Sequence, residues 1–177
     1  MSEKLSPQLL EKEGKAAYER ADYVSAASAF AKAAAAYSAH DGLLNAAEMK
    51  NNQSVALLQS KQAQAALDVV SGADAVFAAA GDLRRQGIAL ANQAGALEAL
   101  RRRDEAIACY RMSAEILERA GAKDLRADVM RAVAGLQVRG GKMTDAVITM
   151  QSGLMGLEKP TLKQQILKKL LFLRLWR

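Results

Sequence analysis

The sequence predicts an all-α protein, and three observations carry that prediction. Half of the chain is apolar but only 5% is aromatic; alanine, which loses no side-chain entropy in a helix, makes up much of the apolar share, and strand-forming residues are sparse. The only prolines are Pro7 and Pro160, so nothing between them forces a helix to break. Small and large residues also recur at helical spacing, in step with a longer internal repeat.

The repeat is read from four segments, "ADYVSAASAFAKAA" (21–34), "KQAQAALDVVSGAD" (61–74), "RRRDEAIACYRMSA" (101–114) and "GKMTDAVITMQSGL" (141–154). Their central alanines are Ala26, Ala66, Ala106 and Ala146, evenly spaced along the chain. Four residues on stand the larger Phe30, Val70, Tyr110 and Met150. Seven on stand Ala33, Ala73, Ser113 and Gly153, and twelve before stand Gly14, Ser54, Ala94 and Ala134, all small. Spacing of i, i+4, i+7 keeps one set on one helical face. Small residues let two antiparallel helices approach closely, and the large one fills the space beside them. A single pair cannot bury that face alone, so pairs stack and share a core.

Each element then follows in order. Ser6 is an N-cap and Pro7 a first helical residue, opening a helix over about 8–20. The second helix, 23–39, carries the Ala26 face, and "HDG" (40–42) closes the pair. Helices at 43–59 and 62–80 form the second pair, closed by "AGD" (80–82). Those at 83–100 and 104–120 form the third, closed by "GAK" (121–123), and 124–139 with 143–157 form the fourth. Glycine in these connectors is expected to end a helix. After Pro160, "TLKQ" reads as a capping box with Thr161 as cap and Gln164 reaching back, so a ninth helix starts at about 161. Residues 1–160 thus form the repeat domain, with pairs at about 8–40, 43–80, 83–120 and 124–157, and 161–177 a basic, apolar C-terminal helix.

These columns resemble the tetratricopeptide repeat (TPR) family, which has small residues at its eighth position, alanine at its twentieth and twenty-seventh, and an aromatic at its twenty-fourth. "ADYVSAASAFAKA" and "RRRDEAIACYRMSA" match most closely, and the resemblance spans roughly residues 8–157. The repeat is longer than the family's usual unit, lacks tryptophan at its fourth position and lacks the closing proline. The extra residues fit longer helices, as in vesicle-fusion adaptors of the SNAP type. The resemblance implies a right-handed α-solenoid of four helix pairs plus a capping helix, acting as a protein-binding scaffold or adaptor.

Charge and chemistry narrow the function. Of 25 basic residues, six (Lys159, Lys163, Lys168, Lys169, Arg174 and Arg177) lie in 159–177 with no acid, and the other 19 meet all 19 acids in 1–158. The body therefore has no sustained basic face, and nucleic acid is not an expected partner. Cys109, the one cysteine, excludes an intrachain disulfide and reads as a small core residue. His40 is a connector histidine. Asp104 and Glu105 suit the start of a helix, and Asp41 and Asp82 lack metal-ligand spacing. "VRGGK" (138–142) lacks the full phosphate-loop pattern, and "RRR" (101–103) beside two acids reads as a solvated corner. No catalytic constellation, cofactor or metal is expected. The start "MSEKLSPQLLEKEG" lacks an apolar signal core, and no apolar run reaches membrane-span length, so the expected compartment is cytoplasmic.

The resemblance also implies which residues face a groove formed by the first helices: Lys12, Asn52, Asn92 and Ala132 at the sixth position; Lys15, Val55, Gly95 and Gly135 at the ninth; Arg131 and, at the thirteenth, Arg139. Asparagine amides offer both donor and acceptor to a peptide backbone; in the family this position also serves helix–helix contact. Lys12, Lys15 and Asn52 match part of the family's carboxylate clamp, whereas Ile88 and Asn92 stand where it needs cations, so a chaperone tail is not expected. Small Gly95, Ala99 and Gly135 are expected to leave room for a side chain or a helix of a partner. In the tail "LKKLLFLRLWR", Leu170 and Leu173 fall on the columns of a cap. Phe172, Arg174, Leu175, Trp176 and Arg177 exceed what a cap needs and are expected to contact a partner, a second copy of the chain or lipid.

Overall fold

The computed structural model describes residues 6–40, 42–155 and 165. Among them are nine α-helices and no strand: α1 (Pro7–Glu19), α2 (Tyr23–Ser38), α3 (Leu43–Gln59), α4 (Ala63–Val70), α5 (Ala73–Ala79), α6 (Leu83–Ala99), α7 (Arg103–Arg119), α8 (Lys123–Arg139) and α9 (Met143–Leu154). Helices pack in chain order, with α4 and α5 together in the place of one helix between α3 and α6. The expected start is present: the Ser6 hydroxyl accepts from Leu9 N–H at 3.2 Å and Pro7 opens α1. The expected capping box at Thr161 and Gln164, and the tail helix, lie outside the described residues.

The column residues form the interior. Ala26, Ala66 and Ala106 are fully enclosed, and Ala146 is nearly so. Phe30, Val70 and Tyr110 are buried beside them, while Met150 is half-buried. The small columns are all buried, and Gly14 shows why they are small. A Cβ there would stand 2.7 Å from the Phe30 ring. One core runs from Leu10 to Leu136, and a smaller one gathers Ala47, Val70, Ala73, Phe77 and Ala89.

The single helix expected over 62–80 is broken. Ser71 turns extended (ψ 127°) and Gly72 takes a left-handed φ of 82°. The Ser71 hydroxyl donates to Leu67 O at 2.8 Å and caps the end of α4. Ser-Gly offers both the competing hydroxyl and the permissive backbone that stop a helix. Val70 and Ala73 flank the break and both stay buried, so the core columns continue across it.

The turns share one geometry and recur at an even interval. Asp22 N–H donates to Ala17 O at 3.0 Å, and the same six-to-one bond recurs from Gly42 to Tyr37 (2.9 Å), Gln62 to Leu57 (2.8 Å), Asp82 to Phe77 (2.9 Å), Arg102 to Leu97 (3.0 Å), Ala122 to Leu117 (2.9 Å) and Lys142 to Gln137 (2.9 Å). Such a closure places the preceding residue in the left-handed region. Gly81, Gly121 and Gly141 occupy it as expected of glycine, but so do Ala21 (φ 59°), Lys61 (65°) and Arg101 (61°). Gly42 departs from the expectation. It is the N-cap of α3 at φ −84°.

A side chain in the left-handed region costs about 1–2 kcal/mol, part of which glycine returns as lost chain entropy. Ala21→Gly and Lys61→Gly are therefore expected to raise stability by about 0.5–1 kcal/mol each. Gly141→Ala is expected to lower it by about 1 kcal/mol. Urea-unfolding midpoints of the single variants measure both signs.

Candidate functional site

Two clefts contain residues selected from the repeat register. The first, of about 260 Å³, lies between α1 and α3 and is lined by Lys15, Tyr18, Glu19, Phe30, Asn52 and Val55. The second, of about 780 Å³, lies between the α6–α7 turn and the end of α8. It is lined by Glu98, Arg101, Arg102, Arg103, Asp104, Glu105, Leu136 and Arg139.

The first cleft brings together three expected groove residues, Lys15, Asn52 and Val55. Helical spacing explains it: Asn52 and Val55 are neighbours on one face of α3. Lys15 is tethered there, since its Nζ donates to Glu11 Oε1 at 2.6 Å, while Glu11 Oε2 accepts from the buried Tyr37 hydroxyl at 2.9 Å. The bond from Lys15 holds the Glu11 carboxyl below the usual range, and the Lys15 ammonium is raised in turn. The cleft thus has an aromatic floor in Phe30, an amide in Asn52 and a positioned cation in Lys15.

The other expected groove residues lie elsewhere. Lys12 is exposed. Asn92 turns to the neighbouring helix, its Nδ2 donating to Oδ1 of the buried Asn51 at 2.8 Å. Of the two uses of this position, Asn92 takes helix–helix contact. Arg131 forms an exposed ion pair with Asp128 at 2.9 Å. Arg139 pairs with Glu98 in the second cleft. The expected tail contacts Phe172, Arg174, Leu175, Trp176 and Arg177 lie outside the described residues.

The room expected over Gly95 and Gly135 is partly taken. A Cβ at 95 would meet the Tyr110 hydroxyl at 3.6 Å, and one at 135 would meet Arg139 Nη1 at 3.7 Å. Glu98 joins these two occupants: it accepts from Tyr110 at 3.2 Å and from Arg139. Burial, reinforced by Glu98, pushes the Tyr110 hydroxyl well above its ordinary range, so it remains a donor.

The arginine cleft is what sequence reasoning missed. "RRR" with two acids reads as a solvated corner, and Arg102 does pair with Glu105, through bonds of 2.7 and 2.6 Å. The signal that could have found it is the register itself. It brings the α6–α7 turn beside "VRGGK" of the next pair, and three successive arginines occur at no other turn.

Asp82 is the N-cap of α6, accepting from Arg85 N–H at 2.9 Å. His40 is exposed. Among the described residues, no group of three or more His, Cys, Asp or Glu could hold a metal ion, and no helix is long and apolar enough to cross a membrane.

Cys109 is buried and its thiol donates to Leu90 O at 3.2 Å. Burial pushes the thiol up to about 11, leaving almost no thiolate at neutral pH. Ellman's reagent at pH 8 is expected to leave folded protein unlabelled and to titrate one thiol in guanidinium. Rapid labelling of the folded chain would contradict the packing described.

Compared with protein-family models and with curated proteins, the chain matches none.

Proposed function

We propose that this chain is a TPR-like, right-handed α-solenoid that acts as a protein-binding scaffold or adaptor rather than as an enzyme. The observation that carries the reading is the cleft between α1 and α3. Three side chains singled out by repeat position, Lys15, Asn52 and Val55, line it together with Phe30. It offers what an extended peptide or a helix needs: an apolar floor for one side chain, an amide for the peptide backbone and a cation for an acidic group. The ordered packing of the helices and the buried repeat columns support the solenoid reading.

We place the C-terminal segment 161–177 in the same proposal, as the cover of the last helix pair. Met143, Ile148 and Met155 of the final described turns are more than half exposed, and the end of a repeat array needs a lid.

Affinity purification with mass spectrometry tests both parts, using the full chain, an Asn52→Ala/Val55→Arg variant and a 1–160 truncation. Proteins captured by the full chain and lost from the groove variant are the expected result. Equal capture by both, with unchanged circular dichroism, would remove the groove as the binding site. Truncation is expected to lower the unfolding temperature and to cause association through the uncovered end.

A further inference from the structure

We propose that the arginine-walled cleft is a second recognition site, which takes an acidic stretch of a protein partner. It lies apart from the cleft between α1 and α3 and does not depend on it. The cleft measures about 780 Å³ and has four guanidiniums in its wall. Three are held in place by the protein itself. Arg102 is forked onto Glu105, and Arg139 is held by Glu98, which the Tyr110 hydroxyl also binds. Arg103 Nη1 donates to the Arg139 carbonyl at 3.4 Å and lies over Gly140, where a Cβ would come within 3.0 Å of it. Gly140 has φ −92°, which any residue can adopt, so the room it leaves for Arg103 is the reason that glycine suits this place.

The charges leave an opening for an anion. Glu98 and Glu105 are each committed to one arginine. Among the described residues, Arg101 and Arg103 have no carboxylate partner, and Asp104 is the one acid of the wall outside an ion pair. Guanidiniums bind carboxylates through paired N–H donors, and those already fixed lose less entropy on binding.

The fold does not require these arginines. In the other repeats the positions of Arg101, Arg103 and Arg139 hold Ala21, Lys61 and Gly141; Tyr23, Ala63 and Met143; and Glu19, Gln59 and Ala99. The α1–α2 and α3–α4 turns close with the same backbone bond without an arginine at any of these positions. The set belongs to one place in the array, as a partner contact would.

The acids also indicate the kind of partner. A nucleic acid presents a continuous row of phosphates and needs a continuous row of cations. Here Glu98, Asp104 and Glu105 interrupt the cations, which suits separated carboxylates on a peptide.

The test is a hexaglutamate titration of the isotope-labelled full chain at low salt, followed by amide shifts. Saturable shifts confined to residues 98–105 and 136–142 are expected, with affinity falling about tenfold in Arg101→Gln/Arg103→Gln. Both arginines are exposed, so the variant should retain its circular dichroism. Three results would overturn the proposal: no saturable shifts, shifts only at the tail cations Lys168, Lys169, Arg174 and Arg177, or unchanged affinity in the double variant. A hexalysine peptide binding as well at the same residues would overturn the charge assignment. An oligonucleotide binding there more tightly would overturn the partner class.

Discussion

Phe77→Ala is expected to lower stability by about 3–5 kcal/mol, the range for emptying a buried aromatic site. Phe77 is 1% exposed, lies among Val70, Ala73 and Ala89, and carries the Arg85 guanidinium over its ring at 5.1 Å. It also belongs to α5, which has seven residues. A helix that short has no stability of its own and holds its shape by packing. The loss should therefore be partly local. Amides of residues 71–80 are expected to exchange with solvent fastest in the variant, and the urea midpoint is expected to fall. Uniform exchange along the chain would mean that α5 is not a separately opening piece.

Leu117→Ala is expected to cost about 2–5 kcal/mol, and its partner makes the result diagnostic. Leu117 is 1% exposed, and its Cγ lies 2.6 Å from the place of a Cβ on Gly87. Gly87→Ala alone should also destabilise, because overpacking costs about 1–3 kcal/mol against roughly 1 kcal/mol gained in helix propensity. In the double variant the new methyl enters the space that the leucine leaves. The combined loss should then be smaller than the sum of the two by at least about 1 kcal/mol. Additive losses would show that α6 and α7 do not meet at this point.

Close helix contact is the kind of physics that a sequence displays openly. Where two backbones approach, only a small residue fits, so the columns through Gly14, Ala26, Ala33 and Ala66 could be read as core before any coordinates. Caps with their own chemistry, such as Ser6-Pro7, were equally legible. The turns at Ala21, Lys61 and Arg101 were not legible as left-handed, because alanine, lysine and arginine carry no preference for that region. The break at Ser71-Gly72 was hidden by intact columns on both sides, which read as one helix. The cleft between α1 and α3 followed from repeat position, yet the bond from Asn92 to Asn51 did not. It depends on which of two adjacent amides, Asn51 or Asn52, faces the next helix. The arginine cleft escaped because its parts come from the α6–α7 turn and the end of α8, and only packing shows that they share one space.

Regular turn closure has a consequence for length. Apart from the break at Ser71-Gly72, the junctions repeat the same bond at the same interval, which marks the turns as places to divide the chain. Joining Lys61 directly to Arg102 would remove residues 62–101 and leave Lys61 where Arg101 stood, with the core columns still in step. On the solenoid reading proposed above, a three-pair version made this way is expected to fold, because in such arrays each pair touches mainly its neighbours. Removing a single helix with its turn instead would exchange the two kinds of helix and set large side chains against large ones. On that reading the protein can change size in whole pairs and in no smaller step.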